Sequence, residues 1–222
     1  MKFPNALNGS KKLFLAEILA LITSILVIIG ALTAFSAVKA NTDEGAVGSL
    51  IGGGALLLIG AIVGILAIIF QFIGVTACSK DEPKFKTALA ALIVSLVASV
   101  ISSFTNGIVK YIFQAIDIIA GIVAIYFIIT GFISLANKLE RSDVASFGKT
   151  VLFISIGVLA LSAILTVVAG ILSPSDVTNL TADKISSYKT AQIFSIVTAV
   201  LGIVQSIIYL IFLNKSKEML AE

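Results

Sequence analysis

Two carboxylic acids stand in stretches that are otherwise apolar enough to cross a bilayer. Asp117 lies within KYIFQAIDIIAGIVAIYFIITGFISLANK, residues 110–138, and Glu17 lies in the first apolar run. An ionisable side chain at mid-membrane costs on the order of 2.5–3.5 kcal/mol on insertion scales, so it is kept where it is hydrogen-bonded to other helices or where it moves ions or protons. Lys110, Gln114, Asp117, Gly121 and Ala124 fall on one helical face. Lys110 is two turns from the acid and snorkels outward, so partners for Asp117 must come from other helices. Counting inward from the outer ends of the apolar runs, the groups at its depth are Ser99, Ser102, Thr166, Gln192 and Ser195, with Thr33 and Ser36 in the first run. With Gln114 they make a candidate intramembrane polar site. Toward the opposite surface, Glu17 and Gln71 form a secondary polar pair.

The chemistry open to these groups is narrow. The chain has no histidine and one cysteine, Cys78. An internal disulfide or a cysteine metal cluster is excluded, and haem and zinc lose their usual ligands. A serine nucleophile lacks its usual base, and an aspartyl pair needs two facing carboxylates, whereas Glu17 and Asp117 sit toward opposite surfaces. Gly52, Gly53 and Gly54 are no phosphate cradle, because the Lys and Ser or Thr of a P-loop do not follow. The expectation is a protein without catalytic activity, cofactor or metal.

These residues are carried by a chain of 222 residues that is 59% hydrophobic and 12% charged. A soluble domain is about 25% charged. The charge of +3 comes from basic residues in short segments between apolar runs, which argues against nucleic acid and for a lipid bilayer as the surrounding medium. Hydropathy predicts an all-α integral membrane protein, one transmembrane domain over 1–222, with helices at about 13–38, 46–76, 87–104, 110–137, 150–172 and 190–213. The first run is longer than the roughly 7 to 15 residues of a signal-peptide core and is read as a span. The second, about 46 Å long as a helix, exceeds a hydrocarbon core of roughly 30 Å and must tilt or begin outside it. Pro174 ends the fifth span, Thr181 is a helix-start signal in the long loop 173–189, and NKSKEMLAE reads as a short charged tail.

Eleven of the fifteen lysines and arginines lie in the N-terminal segment, the 2–3 and 4–5 connections and the tail; only Lys39, Lys110, Lys184 and Lys189 fall on the other side. The positive-inside rule then puts both termini in the cytoplasm, which requires an even number of spans. Fourteen lysines to one arginine points to an AT-rich bacterium, and the cell membrane is the expected location.

Phe85-Lys86-Thr87 and Phe147-Gly148-Lys149-Thr150 open the third and fifth spans alike, with Leu89, Ser99 and Ile101 matching Leu152, Ser162 and Ile164. The second and fourth spans share an isoleucine-rich pattern, Ile62 to Ile73 against Ile122 to Ile133. The implied unit is an out-and-back hairpin, three in succession. Small and polar residues at steps of three and four mark packing faces: Gly53, Gly60, Gly64, Ala67, Gln71 and Gly74 in the second span; Ala88, Ala91, Ser95, Ala98 and Ser102 in the third; Ser195, Thr198, Gly202, Gln205 and Tyr209 in the sixth.

The short basic inner loops and Gly-Ile-rich hairpins resemble the HdeD-type acid-stress membrane proteins, a likeness of hydropathy that carries over no residue. The function expected is a multi-pass membrane module that binds other proteins, or its own copies, or serves in envelope stress. The alternative is a small channel or proton- or ion-coupled transporter using Asp117.

Overall fold

The computed structural model describes residues 2–37, 43–172 and 182–222, without the side chains of 31, 34–37, 43–51, 170–172, 182–189, 191, 192 and 195. The described residues form six α-helices: α1 (Pro4–Ala37), α2 (Asp43–Cys78), α3 (Lys84–Phe104), α4 (Gly107–Lys138), α5 (Ser142–Leu172) and α6 (Ala182–Ala221). All six are long and apolar enough to span a membrane, and none of the described residues is in a strand.

Each helix runs beyond its apolar stretch. α1 begins nine residues before the expected Leu13, α5 eight before Thr150, and α6 begins at Ala182, directly after the Thr181 start signal, rather than at Thr190. The expected charged tail is helical too: Phe212, Leu213, Ser216, Met219 and Leu220, at steps of three and four, are all 2% exposed or less. Hydropathy marks where a helix leaves hydrocarbon, whereas the backbone hydrogen bonds continue into water as long as one face has something to pack on.

Contacts along α1 and α2 run in opposite sequence order, from Gly9 beside Gly74 and Cys78 to Gly30 beside Gly53 and Leu57. The small-residue face of α2 is the one turned to α1. A Cβ on Gly74 would come within 2.8 Å of Leu13 and 2.9 Å of the Gly9 carbonyl, so the backbones approach there as only glycine permits. α3 and α4 are also opposed, Lys84 Nζ reaching the Thr130 carbonyl at 3.3 Å at one end and Ser95 meeting Asp117 further along. The α3 stripe is turned inward: Ala88, Ala91, Ala98 and Ser102 are buried.

α4 packs against α3, α5 and α6, and 44% of its apolar window is buried, against 11–22% for the other five helices. Its buried side chains all lie from Ala120 onward. They join the starts of α1, α3 and α5 and the end of α6 in one core. A chain of aromatic rings runs through it, Phe85 edge-on to Phe132 at 5.0 Å, Phe132 edge-on to Phe212 at 6.0 Å, and Phe212 against Phe147 at 6.3 Å. Phe85 and Phe147, which stand just before the two Lys-Thr pairs, thus each pack on the helix that follows their own. The opposite end presents large apolar residues outward, among them Phe104, Ile108 and Ile164, as a lipid-facing surface does.

Candidate functional site

Asp117 sits ten residues into α4, half-buried, and accepts a hydrogen bond from Ser95 Oγ of α3 at 2.5 Å. Ser95 was expected in the packing stripe of α3, not as the partner of the acid. Of the groups counted to the same depth, Ser102, Thr166 and Thr33 are bonded elsewhere. Ser102 donates to the Ser99 carbonyl at 2.9 Å, and Thr166 donates to the Ser162 carbonyl at 2.8 Å, each within its own helix. In hydrocarbon a hydroxyl finds its nearest acceptor one turn back along its own backbone, so depth alone does not bring it to a carboxylate. Ser99 and Gln114 are half-buried. The side chains of Gln192 and Ser195 lie outside the described residues, as does that of Ser36. Among the described bonds, Asp117 is therefore one end of a two-residue fastening between neighbouring helices.

Glu17 and Gln71, expected as a pair, lie on the wall of one cavity of about 320 Å³ between α1 and α2 that Tyr209 of α6 also borders. Thr23 and Ser24 add hydroxyls to its wall. The hydroxyls of Thr23 and Ser24 are each bonded back to a carbonyl of their own helix, at 2.9 and 3.0 Å.

A third polar cluster escaped the sequence reading. In the turn after α2, Asp81 accepts the Ala6 N–H at 2.7 Å and the Asn5 amide at 2.9 Å, serving as the cap of α1. Pro4 at the first helical position suits that start, since its missing N–H is one the helix would not use. Beside it, Glu82 is 4% exposed and receives Lys138 Nζ at 2.6 Å and Ser134 Oγ at 3.1 Å, both from the end of α4. Lys2 Nζ adds a bond to the Lys138 carbonyl at 3.2 Å, and Arg141 bridges Asp143 and the C-terminal Glu222. Those bonds, to Asp143 first and Glu222 second, raise the Arg141 pKa further, so its charge is fixed. Acidic residues in a short polar turn carry no signal of partners 56 and 75 positions away.

Cys78 is fully buried and unpaired, its thiol toward the Ala6 carbonyl at 3.7 Å.

No family model, curated protein or solved structure matches this chain. The likeness to acid-stress membrane proteins stays one of hydropathy, and the site must be read from its own chemistry.

Proposed function

We propose that this chain is a multi-pass protein of the cell membrane without catalytic activity, built as three sequential helical hairpins with both termini in the cytoplasm, and that it works by binding other proteins as an interaction or envelope-stress module. One observation carries the reading: Asp117, an acid within the fourth apolar stretch, is held by Ser95 of the adjacent helix. A carboxyl group committed to a helix–helix bond serves packing, and transport sites instead gather several facing polar groups around a water-filled path. The non-catalytic part of the proposal rests on the residue types available, since a chain without histidine lacks the commonest general base.

The orientation is supported by charge. Eleven of the fifteen basic residues belong to the segments that meet around Asp81, Glu82 and Arg141. In a Cys78→Ser background, Ser175→Cys is expected to react with an impermeant thiol reagent in intact cells, and Ser142→Cys only after lysis. The reverse pattern overturns the orientation.

The functional proposal is tested in proteoliposomes. Wild-type protein is expected to carry no flux of protons, common cations or small acids, and Asp117→Asn to match it in thermal stability. A pH-dependent flux that Asp117→Asn abolishes would establish the transport alternative.

A further inference from the structure

The cavity between α1, α2 and α6 joins one carboxylate to neutral hydrogen-bonding groups and apolar walls. Glu17 supplies the carboxylate; Gln71, Thr23 and Ser24 supply neutral polar atoms; and Tyr209 borders the cavity from α6. Leu13, Ala20 and Ile68 make the rest of the wall largely apolar. Among the described residues no lysine or arginine pairs with Glu17. The nearby cations are directed elsewhere, Lys12 over the Phe70 ring at 5.4 Å and Lys217 over the Phe14 ring at 4.5 Å. Glu17 is half-buried, so the cavity communicates with its surroundings.

We infer that this cavity binds a small organic ammonium ion, an alkyl- or arylalkylamine in its protonated form, with the ammonium on Glu17 and the apolar body against Tyr209, Ala20 and Ile68. The donor set selects this class. A hard metal cation takes six or more oxygens and is poorly served by one carboxylate. A proton needs no space, whereas about 320 Å³ is at the lower end of small-molecule sites. An ammonium gains a charged hydrogen bond from one carboxylate, and its apolar part gains from the largely apolar wall. Glu17 lies one and a half turns past Lys12, and Thr23 and Gly64 lie further along the span. An amphiphilic cation therefore fits with its charge toward the interface and its apolar part toward the hydrocarbon. The inference is independent of the role proposed for Asp117.

The test is calorimetric titration of the full chain, purified in a maltoside detergent, with benzylammonium at pH 7. Saturable binding at one site per chain is expected, with the neutral analogue benzyl alcohol at least about tenfold weaker, as loss of a charged hydrogen bond implies. Glu17→Gln should weaken benzylammonium by about the same factor. Ala20→Leu, which keeps the carboxylate and fills the cavity, should abolish binding, and Asp117→Asn should leave it unchanged. Ala20→Leu and benzyl alcohol keep the test decisive if Glu17→Gln fails to fold. The inference is overturned by an absence of saturable benzylammonium binding, by equal binding of benzyl alcohol, or by binding that survives Ala20→Leu.

Discussion

The Asp81 carboxylate accepts the backbone N–H of Ala6, 75 residues earlier in the chain, at 2.7 Å and so caps the start of α1. A side chain that satisfies an orphan N–H at a helix start is worth about 1 kcal/mol, and a negative charge there adds a few tenths to 1 kcal/mol through the helix dipole. Asp81→Ala is expected to destabilise the bundle by about 1–2 kcal/mol and to expose Cys78, which packs against the same turn. The rate of Cys78 alkylation in detergent measures both, and should rise in the variant.

Glu82 is the buried member of an ion pair whose lysine is half in solvent, the two side chains being 5% and 46% exposed. Lys138→Met strands a buried carboxylate that keeps only Ser134, and is expected to cost about 2 kcal/mol, below the 3–5 kcal/mol of fully buried pairs because water reaches the lysine. Glu82→Gln combined with Lys138→Met should recover most of that loss. Thermal unfolding of the two single variants and the double variant measures it; a double loss equal to the sum of the two single losses would mean that the pair is not coupled.

The turn between α4 and α5 closes with Arg141 N–H on the Ala136 carbonyl and Glu140 N–H on the Asn137 carbonyl. That is the Schellman pattern, which asks for a left-handed residue after the cap. Glu140 takes it, at φ 59°, where an L side chain is strained by about 1 kcal/mol. Glu140→Gly is expected to raise stability by somewhat less than that, since glycine also gives the unfolded chain more freedom. A higher midpoint of thermal unfolding is the readout.

How legible these features were in the sequence depends on how far apart the interacting residues lie. The six apolar helices and the packing faces of α2 and α3 could be read because their periodicity is local: Gly74 and Gly64 of α2, and Ala88 and Ala91 of α3, fall at helical steps within one segment. The burial of Met219 and Leu220 is also periodic, in step with Phe212 and Leu213, but the intervening lysines and Glu218 lower the hydropathy and hide it. Asp81 and Glu82 could not be read, because a capping acid in a turn looks the same whether its partner is water or a distant helix. For Asp117, depth counting offered groups on four helices, and Ser95, the residue that bonds to it, was not among them. The antiparallel register of α3 on α4 brings the Ser95–Ser99 turn level with the acid, and it is Ser95 that bonds to it.

The coupling between Ser95 and Asp117 tests most directly whether Asp117 is a structural fastening. Thermal stability of Ser95→Ala, Asp117→Leu and the double variant is measured in one detergent. A shared interhelical hydrogen bond predicts a coupling of about 1 kcal/mol, within the range found for polar pairs in membrane proteins, so that the double variant is less destabilised than the sum of the singles. Strict additivity, with Asp117→Leu as stable as wild type, would contradict the claim and leave the acid without a structural reason to be in the membrane.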